Sequence, residues 1–90
     1  METNIILTRS DEYLSHEVDN EMVMMNVNNG LYVSLNETGK SIWLILEEPK
    51  SVDEIIENLA ADYQVTTEQC KNDTLPFIEK LIDKKIVVKV

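Results

Sequence analysis

The sequence has few of the residues on which enzymatic chemistry usually depends. Among 90 residues there are one cysteine, one histidine and two glycines. A single cysteine excludes an internal disulfide, and Gly30 and Gly39 do not form a glycine-rich phosphate-binding loop. His16 and Cys70 are the only residues that could form a base and nucleophile pair, and together they show no metal-ligand spacing. We therefore expect no catalytic residue, no metal site and no cofactor.

The sequence also lacks a long apolar segment and any excess of positive charge. No apolar run approaches the roughly 20 residues that cross a bilayer, and Ile5-Ile6-Leu7 is too short for the apolar part of a signal peptide. We therefore expect a cytoplasmic protein that contacts no membrane. Seventeen acidic residues against eight Lys and Arg give a net charge of −9. Such a charge repels a phosphate backbone, and it either maintains solubility or attracts a basic peptide.

The composition that remains is that of a small globular protein. The hydrophobic fraction of 43% argues against disorder, and the length predicts a single domain over residues 1–90. Residues 13–18, 22–27 and 31–35 have the composition or alternation of strands. Asp19-Asn20 predicts the first turn between them, and Asn28-Asn29-Gly30 predicts a tight hairpin because Asn-Gly tolerates positive φ angles. The pattern predicts a three-stranded antiparallel meander.

Three helices are predicted after the meander. Asn36 stands at an N-cap position, Ser51 begins a capping box, and the same pattern recurs at Thr66. The third helix should therefore run from near residue 67 to about residue 84. Pro76 lies inside it and should kink or fray its middle, since proline removes a backbone donor.

Several other local features have a structural interpretation. The second helix has an apolar face of helical period, formed by Val52, Ile55, Ile56, Leu59, Ala60 and Tyr63. Trp43 should be the main core residue of the first helix. Residues 5–8 and 86–90 should form short extended segments.

A sheet followed by three helices, the last two joined by a short turn, is an α+β fold of the winged helix-turn-helix type. In a DNA-binding protein the third helix would be the recognition helix, so a transcriptional regulator is an alternative function. Lys71 and Lys80 are nine residues apart, which places them on opposite sides of this helix. Because a DNA reader needs a basic face, we expect no nucleic-acid partner.

The end of the third strand carries a family resemblance. The segment from Tyr32 to Gly39 reads Y-x-x-L-N-E-T-G and is followed by Ile42-Trp43. This pattern resembles the PqqD-like family, the RiPP precursor peptide recognition elements, and is most similar to the free-standing version of lasso-peptide pathways. The similarity continues at residues 22–35 and 51–59, Asp73, Phe77-Ile78, Leu81 and Ile86-Val87.

The resemblance implies a non-enzymatic recognition element that binds the leader segment of a ribosomally synthesised precursor peptide. The leader would join the third strand and lie in the groove between it and the third helix. The partners would be the precursor peptide and a leader peptidase or other maturation enzyme. The alternative within the same family delivers its peptide to a radical SAM enzyme, as in the quinone-cofactor pathway.

The residues themselves allow this mode of binding. The 31–35 strand is the last of the meander, so one of its edges is open to another strand. Apolar residues on the third helix span about 160°, more than the roughly 100° of a one-sided core helix, and the excess either contacts a peptide or is buried. Asp73 either accepts a hydrogen bond from the leader or is a solvated charge. The predicted peptide-binding residues are Leu31, Tyr32, Val33, Ser34, Cys70, Asp73, Thr74 and Phe77.

Overall fold

The computed structural model of the protein describes residues 1–90 and contains two small antiparallel sheets and three helices. The strands are β1 (Ile6–Arg9), β2 (Tyr13–Val18), β3 (Glu21–Asn26), β4 (Tyr32–Leu35), β5 (Lys50–Ser51) and β6 (Val87–Lys89). The helices are α1 (Glu37–Ile45), α2 (Val52–Tyr63) and α3 (Thr67–Asp83). One sheet has the order β2-β3-β4 and the other β5-β1-β6. The α+β fold of a three-stranded antiparallel sheet followed by three helices is therefore confirmed.

The β2–β3–β4 meander follows the predicted order and turns at Asp19-Asn20 as predicted, but its second turn is wider than the predicted tight hairpin. The tight two-residue turn is Asp19-Asn20, where both residues have positive φ angles of 49° and 72°. The later loop spans residues 27–30, and Gly30 alone has a positive φ there. The side-chain oxygen of Asn26 accepts hydrogen bonds from the backbone amides of Asn28 (2.8 Å) and Asn29 (3.2 Å). These bonds stabilise the wider loop in place of a tight hairpin.

The meander buries one face against the helices. Met22 and Met24 of β3 are buried, whereas the intervening Val23 is only half-buried on the opposite face. Leu35 of β4 pairs with Met22 and is also buried. This alternation is the period-2 pattern of a strand with one face on the core.

The second sheet was not predicted from the sequence. The two extended segments predicted near the chain ends pair with each other as β1 and β6, and β5 adds to the other side of β1. Leu7 in the central strand is completely buried. These strands lie far apart in the sequence, and no local pattern indicates that they pair.

All three helices begin at the predicted caps. The Asn36 side chain accepts a hydrogen bond from the Gly39 amide (2.9 Å) at the start of α1. Ser51 and Glu54 form a reciprocal capping box at α2, and Thr66 caps α3. Each cap pairs an amide that would otherwise lack a partner in the first turn.

The fraying of α3 predicted at Pro76 is not observed. The helix continues from Thr67 to Asp83 on both sides of the proline. Pro76 cannot donate to the carbonyl of Asn72, four residues earlier. Both residues are exposed, so water can pair with this carbonyl and the helix need not break.

The core confirms most of the predicted helix faces. Trp43 is buried, and the Arg9 guanidinium lies over its ring at 4.7 Å from the centroid. On α2, the first five residues of the predicted apolar face are buried. The sixth, Tyr63, is 42% exposed, because it lies at the end of the helix, where its hydroxyl is 3.3 Å from the Ser41 hydroxyl.

The capping box at α2 predicts a pH-dependent contribution to stability. The Ser51 amide donates to the Glu54 carboxylate (3.0 Å), and this bond lowers the pKa of Glu54 below its usual value of 4.5. The stabilisation is therefore present above about pH 4.5 and is lost as the pH falls through the folded-state pKa. We expect Glu54→Gln to be less stable than the parent at pH 7 and to approach it at pH 3, measured by urea unfolding.

Glu57→Gln is the matched control, because Glu57 is on the same helix but outside the capping box. An equal stability difference between Glu54→Gln and the parent at both pH values would contradict the prediction.

Candidate peptide-binding groove

Strand β4 lies at an open edge of its sheet, because β3 is its only partner. The Asn26 amide donates to the Leu31 carbonyl at 2.9 Å. Hydrogen-bonded and non-bonded residue pairs alternate along an antiparallel ladder. The backbone of Val33 therefore faces β3, and the N–H and C=O groups of Tyr32 and Ser34 face away from the sheet.

A groove of about 240 Å³ lies between β4 and α3. Leu81 and Ile86 are buried and form its floor, while Val33 and Phe77 are half-buried at its walls. The complete lining consists of Val33, Ser34, Leu35, Asn36, Phe77, Lys80, Leu81, Lys84 and Ile86. The groove thus combines an apolar floor with polar and charged groups at its margins.

The groove begins where β4, α1 and α3 meet. Gly39 lies in the first turn of α1, and a Cβ atom there would be 3.2 Å from the Leu35 Cβ and 3.2 Å from the Phe77 Cε1. The absence of a side chain at Gly39 therefore permits the close approach of the three elements.

The structure divides six of the eight predicted site residues between the groove and a second hollow. Tyr32 instead lines a hollow on the outer face of the meander, and Leu31 lines none. Val33, Ser34 and Phe77 line the groove. Tyr32 is 70% exposed on the outer face of the sheet, and Leu31 is 65% exposed just before β4 begins. Both residues lie beside the open strand edge, and their contact with a peptide stays a prediction.

The other predicted residues line a second hollow of about 240 Å³. Cys70 and Thr74 are buried there, with the Cys70 Sγ at 3.6 Å from both the Ile56 carbonyl oxygen and the Thr74 hydroxyl. Asp73 is exposed and makes no ion pair. Residues three or four apart share a helix face, so this hollow and the groove lie along the same side of α3. Asp73 lies about one turn before Phe77, which lines the groove.

Sequence reasoning missed several groove residues. The helical spacing that begins at Phe77 continues at Lys80, Leu81 and Lys84. Helical periodicity would therefore have predicted that these three residues lie on the same face as Phe77. Helical periodicity could not have predicted Ile86, because this residue lies beyond the end of the helix. Lys85 has a positive φ of 59°, and this turn brings the chain back beneath the groove.

Three larger hollows occur elsewhere, and the smallest of them, of about 280 Å³, is lined by five residues that include Glu79 and Asp83 of α3 and Lys89 of β6. One of about 580 Å³ lies between the first turn of the meander and α1, and only two of its eight lining residues are hydrophobic. Another of about 420 Å³ lies on the outer face of the meander around Leu14, Val23 and Met25. The last two do not lie between a free strand edge and a helix, and the hollow of about 280 Å³ reaches the edge strand β6 only at Lys89. The smaller groove is therefore better shaped for an extended peptide.

The structure does not bring the two candidate catalytic residues together. His16 lies on the outer face of the meander, and Cys70 is buried between α2 and α3. No group of three His, Cys, Asp or Glu residues is arranged to hold a metal ion. None of the helices combines the length and the apolar character needed to cross a membrane.

Comparison with known proteins identifies the family. The family model described as "Coenzyme PQQ synthesis protein D (PqqD)" matches residues 21–87, which include both walls of the groove. The chain belongs to the PqqD family. Proteins of the PqqD family are non-catalytic peptide-binding domains.

A solved structure of similar fold contains a bound peptide. It is described as TbiB1 in complex with the TbiA(beta) leader peptide, and it is 31% identical to this chain with a TM-score of 0.77. The alignment covers 89% of this chain and 93% of TbiB1. No curated protein matches the chain.

The contact at Gly39 predicts the effect of a single added methyl group. Gly39→Ala should gain up to about 1 kcal/mol of helix propensity, but overpacking costs about 1–3 kcal/mol. The Leu35 Cβ is attached directly to the β4 backbone and cannot rotate away, so we expect a net loss of about 1 kcal/mol in urea unfolding.

Gly39→Ala/Phe77→Leu provides the control, compared with Phe77→Leu alone. Because the smaller side chain removes the ring contact, alanine at residue 39 should cost less in this background. An equal or larger cost would show that the Phe77 ring does not limit the space at Gly39.

Proposed function

We propose that this PqqD-family protein binds the leader segment of a ribosomally synthesised precursor peptide as an added strand on β4. The observation that supports this most directly is the open edge of β4 beside a groove with an apolar floor. The peptide pairs with the outward backbone groups of Tyr32 and Ser34. These backbone bonds supply affinity, and the groove supplies specificity.

Alternate side chains of the added strand meet different surfaces. One set enters the groove and contacts Val33, Phe77 and the buried Leu81. The other set lies beside Tyr32 on the outer face of the sheet. We therefore propose that apolar residues at every second position of the leader are selected by the groove.

We extend the proposed site along α3 to the hollow that contains Asp73. Asp73 is four residues before Phe77, which corresponds to about 6 Å along a helix. An extended peptide covers that distance in about two residues. The leader can therefore contact the exposed Asp73 carboxylate after it leaves β4, while the buried Cys70 and Thr74 form the base of the hollow.

We further propose that the bound leader is presented to a maturation enzyme. The resemblance in sequence favours a leader peptidase of a lasso-type pathway, with a radical SAM enzyme as the alternative. Presentation is compatible with the geometry, because a peptide on the β4 edge leaves both of its own ends free to extend beyond the protein.

The exposed charges of α3 argue against the alternative of a DNA-binding regulator. The helix carries two lysines, Lys71 and Lys80, and four acidic residues, which are Glu68, Asp73, Glu79 and Asp83. Together with the net charge of −9, this helix would be repelled from the phosphates that flank a DNA groove.

Amide hydrogen exchange tests the strand addition. The probe is a peptide selected on the full chain from a displayed library of random 16-residue sequences. We expect the bound peptide to slow exchange at Tyr32 and Ser34, since their amides gain partners. The Val33 amide already faces β3 and should change less.

The opposite edge of the same sheet provides an internal control. The Val27 amide donates to the Glu12 carbonyl at 2.9 Å, so by the same alternation the Ser15 amide of β2 also faces away from the sheet. Exchange at Ser15 should not change. Protection at Ser15, or bound peptide without protection at Tyr32 and Ser34, would overturn the proposed mode of binding.

Substitution of Asp73 tests the second part of the site. Asp73→Ala should weaken binding of the selected peptide by about 1–3 kcal/mol, the range for a hydrogen bond to a charged group, measured by calorimetry. Glu79→Ala is the matched control, because Glu79 is an exposed acid on the same helix outside both hollows. A loss below about 0.5 kcal/mol for Asp73→Ala would show that its carboxylate is merely solvated.

A further inference from the structure

The charged residues that line the groove are positive, whereas the net charge of the whole protein is negative. Lys80 and Lys84 both line the groove, and none of its nine lining residues is acidic. The chain as a whole has 17 acidic residues and only eight basic ones. The groove is therefore a small basic site on an acidic protein.

Neither of these lysines is neutralised within the protein. The one salt bridge in the structure joins Lys40 to Glu17 at 3.3 Å. The side chains of Lys80 and Lys84 donate no hydrogen bond to another residue. Both ammonium groups can therefore bind an acceptor that enters the groove.

The side chains of Lys80 and Lys84 lie on the same side of the groove. They are four residues apart at the end of α3, a spacing that puts both side chains on the same face of a helix. Leu81 and Phe77 lie beside them and give part of the groove an apolar lining. A charge pair is stronger beside such apolar surface than in open solvent.

We propose that the groove selects peptides with one acidic side chain directed towards α3, and that Lys80 and Lys84 bind its carboxylate. This inference rests on the proposed binding of a peptide to β4. The rest of the segment is apolar or basic, because further acids would be repelled at short range by the acidic residues that give the protein its net charge of −9. The net charge does not exclude the single acid in the groove, because repulsion beyond about 8 Å is largely screened at physiological salt, whereas its charge pair with the lysines is local.

Peptide selection tests the charge preference. A displayed library of random 16-residue peptides is selected on the full-length protein, on Lys80→Gln/Lys84→Gln and on Lys71→Gln/Lys89→Gln. The last variant loses the same two charges at residues outside the groove. We expect Asp or Glu to be enriched at one position with the parent and with the control variant, and not with Lys80→Gln/Lys84→Gln.

A matched pair of peptides then measures the interaction. The best binder and its acid-to-amide twin (Glu→Gln or Asp→Asn) are titrated against each protein. The parent should prefer the acidic peptide by about three- to tenfold, between the values for exposed and for desolvated charge pairs. This preference should disappear in Lys80→Gln/Lys84→Gln and persist in the control variant, with matching urea unfolding curves for all three proteins.

The outcomes separate this inference from the proposed function. Equal affinity of the parent for the acidic peptide and its amide twin, with Tyr32 and Ser34 amides protected, would overturn the charge preference and leave the strand addition standing. An acid preference that persists in Lys80→Gln/Lys84→Gln would also overturn it. If no selected peptide protects those amides, the proposed function fails and the inference fails with it.

Discussion

The close contact at Gly39 is the constraint on which the groove depends. In the first turn of α1, this residue lies against the Leu35 Cβ of β4 and the Phe77 ring of α3, and any Cβ would be about as close as packed atoms tolerate. The Asn36 cap holds that turn directly after the strand. β4 and α3 are thus packed together through Gly39, and this contact limits how far apart they lie at this end of the groove.

The far end of the groove is held by the second sheet and by β2. The Ser10 amide donates to the Ile86 carbonyl at 3.0 Å, and the Tyr13 hydroxyl donates to the Lys84 carbonyl at 3.1 Å. The end of α3 is therefore attached to both sheets while β4 remains without a second partner. The open strand edge therefore lies beside a helix whose end is held by hydrogen bonds to other parts of the chain.

Local patterns in the sequence predicted much of the fold. The caps at Asn36, Ser51 and Thr66, the meander strands and most of the buried helix faces depend on neighbouring residues, so they were correct within a residue or two. Where a local rule failed, a nearby interaction outweighed it. The Asn26 side chain stabilises the wider loop ending at Gly30, and the exposure of Pro76 and Asn72 allows α3 to continue.

The sequence alone determined most of the elements, their order and the family resemblance, because these depend on residue type and short-range spacing. Only the tertiary structure decided that β1 and β6 pair, that Ile86 lies beneath the groove, and that Lys80 and Lys84 flank it without acidic partners. It also separated Asp73 from the groove beside β4. Such relations join residues far apart in the chain, and long-range packing rather than local periodicity sets them.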